Sequence, residues 1–343
     1  MPSLRHSSDS EPGYSRRRRG RGFSYHDEKG RPITSERVLG RLRGLAIPPA
    51  WKDVWICRSA RGHLQATGID AAGRKQYLYH PAWREERDRE KYERILRFAE
   101  RLPAFRKTVD RHLARGVVDR DAALATAVRI IDRTGVRVGS EEYAESAGTY
   151  GVATIRSRHL TIDGDTLVLD FKGKGGVEQH VELRDRRLAS IVAEMDGMPG
   201  YEVLKYVDDA GEVVDVRSED VNAYIKEHLG EEYSSKDFRT WAATVAAAVA
   251  LDELEPAASD TARRRAVAGV FPRIAETARQ TPAVCRASYI DPRVIDRYLE
   301  GTTLSGLGVE RGAGARLSHQ ERAVLRLLRD ELTSAERVPA RGR

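Results

Sequence analysis

The chain of 343 residues is long enough for two domains with separate cores, is 40% hydrophobic and 7% aromatic, and carries a net charge of +7. No apolar run approaches the ~20 residues of a membrane span, and no apolar segment follows the basic cluster Arg16–Arg19 and Arg21, which argues against a membrane or secretory role. The two cysteines, Cys57 and Cys285, suggest neither disulfides nor zinc, and the pI near 9.4 favours a polyanionic partner without requiring one.

Residues 1 to about 22, rich in Ser, Gly and Arg and without apolar periodicity, are expected to be a disordered basic arm that adds nonspecific phosphate affinity. From there to about residue 85, short apolar segments punctuated by Gly30, Gly44, Gly62, Gly68 and Gly73 predict a small, mainly β domain, with strands at Val54 to Cys57 and Gln76 to Tyr79. At Trp83 the composition shifts. Tyr92, Ile95, Leu96 and Ala99 recur at helical spacing within Glu85 to Arg101, a helix expected to open a second domain over residues 86–343.

Asp121 is the expected cap of a helix that buries Leu124, Ala127, Val128 and Ile131 and ends near Gly135, just before Arg137. A short helix follows from about Ser140 and carries Tyr143. His159 to Asp163, Thr166 to Lys172 and Val177 to Leu183 read as three strands, and Gly173-Lys174-Gly175-Gly176 sets Lys174 on a hairpin tip. Beyond Gly200 the pattern is mostly helical. Ser218 to Leu229 stops at Gly230, and Ser234 with Asp237 matches a capping box before an alanine-rich helix that bears Lys236 and Arg239 near its start. Further helices are predicted at Thr261 to Arg279, Pro282 to Ile290, Pro292 to Glu300 and Ser318 to Leu332. The expected class is α+β: a small β-rich amino-terminal domain and a larger, mostly helical one with a three-stranded antiparallel sheet.

Singly, Arg137, Lys174, Arg239 and Tyr289 are ordinary residues; their flanks are not. Arg133-Thr134-Gly135-Val136-Arg137-Val138-Gly139, Phe171-Lys172-Gly173-Lys174-Gly175, Lys236-Asp237-Phe238-Arg239-Thr240-Trp241 and Thr281-Pro282-Ala283-Val284-Cys285-Arg286-Ala287-Ser288-Tyr289 occur in that order. In that order they resemble the type IB DNA topoisomerases, in the compact poxvirus and bacterial form, from about Arg37 to Tyr298. The resemblance implies a catalytic set of Arg137, Lys174, Arg239 and Tyr289, with duplex DNA as substrate and partner.

The residue types suit that chemistry. Two guanidinium forks can neutralise the charge that builds on nonbridging phosphate oxygens, a lysine can protonate the leaving 5′ oxygen, and a tyrosine can attack phosphorus. The phosphotyrosine linkage stores the bond energy, so religation needs no ATP, and the chain has no GxxxxGK[ST] phosphate loop. No cofactor and no metal are expected, because Asp163, Asp165 and Asp170 fit a turn and a solvated strand. The family's usual histidine or asparagine nine residues before the tyrosine is Gln280 here, an amide still able to donate to a phosphate oxygen.

The same resemblance makes Gln76, Tyr77, Tyr79, Tyr143 and Lys236 candidate DNA contacts, with Tyr77 and Tyr79 on one strand face; packing of that face into a core is the alternative. It also implies a monomeric clamp and a cytoplasmic, nucleoid-associated location. Two other functions compete. A tyrosine recombinase uses a similar catalytic set, but usually has a histidine where Lys236 stands. A noncatalytic DNA-binding protein would explain the basic charge and Gln280, though not the four retained groups.

Overall fold

The computed structural model describes residues 3–254, 259–277, 279, 281–309 and 316–329. The chain divides into two compact units, Met1–Glu93 and Arg94–Arg343.

In the first unit, β1 (Tyr14–Arg19), β2 (Gly22–His26), β3 (Lys52–Ile56), β4 (Leu64–Ile69) and β5 (Lys75–Tyr79) form one antiparallel sheet in the order β2-β1-β3-β4-β5. The pairings Tyr14↔Ile56, Ile56↔Ala66 and Ala66↔Leu78 align one face of this sheet. That face packs on Leu42 of α1 (Glu36–Gly44), and the cluster of Leu42, Ile47, Val54, Ile56 and Ala66 is the unit's core. Neither α1 nor the β1–β2 hairpin was expected.

The hairpin corrects the expectation of a disordered arm. Arg16 and Arg18 stand across from Tyr25 and Phe23, and a glycine at φ +57, Gly20, opens the two-residue turn, a conformation that costs glycine little. The Arg16 guanidinium lies 4.1 Å from the Phe23 ring centre and donates to the carbonyls of Ile47, Pro48 and Trp51 at 2.7–3.0 Å. A charged run thus acquires strand order from cross-strand rings and backbone acceptors more than 30 residues away. Upstream, Ser7 bonds the backbone of Leu64 and Asp9 accepts from Thr67, so this stretch too is part of the folded unit.

α2 (Pro81–Leu113) begins four residues earlier than the sequence pattern suggested and runs unbroken through the division at Glu93/Arg94, eight residues past the expected domain boundary at 85/86. Pro103 within it removes only the bond its N–H would have made to Ala99. α3 (Arg120–Thr134) is capped by Asp119, whose carboxylate accepts from Ala122 N–H; Asp121 sits inside the first turn, and Gly135 ends the helix at φ +67. Nine residues of α3 are buried, which makes it the central helix of the second unit.

α4 (Glu141–Ala147) follows, then β6 (Leu160–Asp163), β7 (Thr166–Lys172) and β8 (Glu178–Arg184) in a three-stranded antiparallel sheet. Leu167, Leu169 and Phe171 alternate inward along β7. α5 (Arg186–Asp196) and a small hairpin, β9 (Lys205–Val207) with β10 (Val213–Asp215), were not foreseen. α6 (Ser218–Leu229), α7 (Ser235–Asp252), α8 (Asp260–Thr277), α9 (Pro282–Ser288), α10 (Pro292–Leu299) and α11 (His319–Leu328) complete the α+β fold close to their predicted limits, except that residues 330–332 of the last lie outside the described residues. Alanines along α7 allow close approach to α3, α8, α10 and α11. Among the described residues no helix is long and apolar enough to cross a membrane.

Candidate active site

Beyond Gly135 the chain carrying Arg137 is pinned to the turn at Val152–Thr154: the carbonyl of Arg137 accepts from Val152 N–H at 2.9 Å and that of Val138 from Ala153 N–H at 2.7 Å. The contact is so close that a Cβ on Gly151 would fall 2.5 Å from the Arg137 carbonyl oxygen, so glycine is required there. Lys174 tips the β7–β8 hairpin, where Gly175 and Gly176 adopt φ of +79 and +76 and Gly173 closes the turn onto Val177 at 2.8 Å. The backbone of Tyr150 bonds the Lys172 carbonyl at 2.8 Å, which ties this hairpin to the Arg137 segment.

Arg239 and Lys236 lie near the start of α7. Asp237 between them caps the helix by accepting from Ser234 N–H at 2.8 Å, and it pairs with Arg94 at 2.7 Å. Tyr289 stands just past α9, its carbonyl oxygen 3.2 Å from the Thr244 hydroxyl, which also has the nearer Thr240 carbonyl at 2.8 Å as an acceptor for its single proton. Thr244 is fully buried on α7, and its oxygen also accepts from Asp291 N–H at 3.2 Å. Cys285 is wholly buried, and burial pushes its thiol up.

These elements converge. One cavity of about 330 Å³ is lined by Arg137, Lys174, Arg239 and Tyr289 together with Tyr143 and Lys236. The Arg239 guanidinium lies 5.5 Å from the Tyr289 ring centre, and Lys174 Nζ lies 5.6 Å from that of Tyr143. Arg239 is only 7% exposed, and its Nε and Nη2 have no hydrogen-bond partner among the described residues. Burial, and then the neighbouring charge of Arg137, pull its pKa down to about 10, against which the Tyr289 phenol acts weakly upward. Two buried guanidinium nitrogens without a protein partner among the described residues, beside a second guanidinium, suit an anionic group.

Thr149, Tyr150 and Ser235 also line this cavity and were not singled out in the sequence. Ser235 adjoins Lys236 and was legible from that; the other two lie between motifs. Gln280 lies outside the described residues. Gln76, Tyr77 and Tyr79 belong to the first unit, on β5. Tyr77 and Tyr79 stack on one face with ring centres 6.2 Å apart, and Tyr77 is 45% exposed. Gln76 falls on the opposite face, its amide donating to Asp70 at 2.8 Å.

A larger cavity of about 820 Å³ beside α2, α3 and α7 is less suited to chemistry, because its main charges satisfy one another: Arg106 pairs with Asp132 and Glu321 at 2.8 Å, and Arg129 with Asp110.

Comparison with known proteins adds an independent line. Residues 80–292 match the family described as eukaryotic DNA topoisomerase I, catalytic core, and residues 22–70 match the bacterial DNA topoisomerase IB, N-terminal domain. A DNA topoisomerase 1B of Acanthamoeba polyphaga mimivirus is 28% identical over 295 residues, covering 83% of this chain and 87% of that protein. The DNA topoisomerase 1B of Vaccinia virus (strain Western Reserve) is 24% identical over 143 residues, covering 40% of this chain and 45% of its own length. A solved structure of the XerH site-specific recombinase on its palindromic substrate aligns with a TM-score of 0.36 at 14% identity over 59% of this chain and 50% of its own, too distant to bear on function.

Proposed function

The chain belongs to the DNA topoisomerase I family, as a type IB enzyme with the bacterial amino-terminal domain, and from that membership we propose that it relaxes supercoiled duplex DNA through a 3′-phosphotyrosine at Tyr289. One observation carries the reading: the Arg239 guanidinium belongs to the cavity that Tyr289, Arg137 and Lys174 share, and its buried Nε and Nη2 have no partner among the described residues. A nonbridging phosphate oxygen would complete them. Each buried N–H left unpaired costs about 1–3 kcal/mol, so a bound phosphate is strongly favoured there.

With the phosphate held between Arg137 and Arg239, the Tyr289 oxygen attacks phosphorus in line and the P–O5′ bond breaks. Lys174 supplies the proton that the leaving 5′ oxygen takes up, while the phenolic proton of Tyr289 passes to water. The guanidiniums act most strongly on the pentacoordinate arrangement, where the nonbridging charge is greatest. Attack by the freed 5′ hydroxyl reverses the steps and returns the tyrosine, so no nucleotide is consumed. Between cleavage and religation the cut strand swivels about the intact one.

Gln280 is assigned to donate its amide to the same phosphate. Tyr143 and Lys236 at the cavity rim, and Tyr77 and Tyr79 in the amino-terminal unit, are assigned to contact the duplex. Gln76 gives one amide N–H to Asp70 and keeps its second N–H and its carbonyl oxygen for such a contact. The enzyme is taken to act as a monomer on the cytoplasmic nucleoid.

The test is incubation of the purified chain with supercoiled plasmid in EDTA without ATP. Relaxation is expected, together with an SDS-stable adduct on suicide duplex whose linked peptide contains Tyr289. Absence of the adduct would overturn the mechanism.

A further inference from the structure

The β1–β2 hairpin has more charge than its fold requires. β1 pairs with β3 only through Tyr14 and Ser15, whereas β2 continues alongside it to the turn, so Arg16–Arg19 belong to a two-stranded ribbon projecting past the sheet. Arg16 is spent on anchoring the root, through three carbonyls and the Phe23 ring. Arg17, Arg18, Arg19 and the turn residue Arg21 are exposed, and none has a carboxylate partner among the described residues. Four like charges on one short ribbon repel one another, and nothing in the first unit's core depends on them.

Register gives the ribbon a direction. Ser15↔Trp55, Trp55↔Thr67 and Thr67↔Tyr77 are directly paired, so these residues share one face of the sheet, and strand alternation adds Arg17 and Arg19 to it. The middle of this face is covered by the chain itself, where Asp9 meets Thr67 and Lys75, and Trp55 donates to the Glu11 carbonyl. Its two flanks remain open: the stacked Tyr77 and Tyr79 on one side and the arginine ribbon on the other.

We propose that the ribbon is a phosphate-tracking arm, in which Arg17, Arg19 and Arg21 contact the backbone of the duplex that Tyr77 and Tyr79 address. This rests on the assignment of duplex DNA as substrate. Four residues at ~3.3 Å each carry the ribbon about 13 Å beyond the sheet, which adds about four base pairs to the footprint at ~3.4 Å per step. The contacts are electrostatic and blind to sequence, and their signature is salt dependence.

The test is binding of a fluorescein-labelled duplex to the full chain across salt concentrations. Arg17→Gln/Arg19→Gln/Arg21→Gln is expected to lower the slope of log K against log salt by about 2.7, about 0.9 for each lost phosphate contact. Arg37→Gln/Arg43→Gln, on the helix packed against the other face, serves as the charge control and is expected to shift the slope by less than one contact. An unchanged slope in the ribbon variant, or an equal shift in the control, would overturn the proposal. Should the triple variant unfold at lower temperature, Arg21→Gln alone, at the exposed turn, is expected to lower the slope by about 0.9. Adduct formation by the unaltered chain on suicide duplex is scored separately, so a failed nucleophile assignment and a failed ribbon give different results.

Discussion

The hydroxyl of Thr244 lies 3.2 Å from the carbonyl oxygen of Tyr289 and accepts the next-but-one amide, that of Asp291, at the same distance. The backbone just after the phenol-bearing Cα is thereby held to the helix that carries Arg239. Thr244→Val keeps the shape and removes the hydroxyl; it is expected to slow single-turnover cleavage about tenfold, because small displacements of an attacking group are amplified in rate. Thr244→Ser is expected to restore most of it. Equal losses in both variants, accompanied by a lower melting temperature, would mark Thr244 as structural only.

Removing only the attacking oxygen, Tyr289→Phe is expected to abolish the SDS-stable adduct while a labelled duplex still binds. Residual cleavage by this variant would place the nucleophile elsewhere.

For Lys174→Ala, slow cleavage of ordinary duplex and recovery on a substrate with sulfur at the 5′ bridging position are expected, since a thiolate leaves without a proton. The comparison is a ratio of two rates in one variant, so a general loss of structure does not mimic it. Equal slowing on both substrates would remove Lys174 from the acid role.

Arg239→Lys retains a positive charge but not the planar fork whose buried Nε and Nη2 have no partner among the described residues. Cleavage is expected to fall by about 10²–10³, the loss typical of one removed oxyanion donor. A rate within a few-fold of the unaltered chain would show that charge alone suffices at this position.

A stability test lies away from the chemistry. Burial alone would raise the Glu321 carboxyl, but the hydrogen bonds and charge of Arg106 outweigh it and hold the group below the usual glutamate range. Its stabilising contribution is therefore complete above the ordinary glutamate pKa and is lost as pH falls through the lower, folded value. Glu321→Ala, which leaves Trp241 without its 3.0 Å acceptor, is expected to destabilise the second unit by about 3 kcal/mol at neutral pH, or about 6–12 °C in melting temperature. The difference between the two chains is expected to shrink below about pH 4. A pH-independent difference would contradict the ion pair.

Local signals made much of this molecule legible in its sequence. Alternation along Leu167, Leu169 and Phe171 identifies a half-buried strand, and glycines around Lys174 identify a tight turn, because both follow from neighbours a few residues apart. The four motif flanks likewise named Arg137, Lys174, Arg239 and Tyr289 without any fold. Their convergence on one cavity was not legible, since it depends on α3, α7, α9 and the β7–β8 hairpin meeting through packing across more than a hundred residues.

Other features were hidden for the same reason. Arg16–Arg19 look disordered by composition, yet become a strand because Phe23 and the carbonyls of Ile47, Pro48 and Trp51 supply partners that no local window contains. Asp119 rather than Asp121 caps α3, two acceptors that spacing alone does not separate. The division at Glu93/Arg94 falls inside a continuous helix and leaves no mark in composition. By itself the sequence singled out the four candidate side chains and the periods of the elements that bear them; only long-range packing and backbone pairing decided which of those side chains share a cavity and which charges have no protein partner among the described residues.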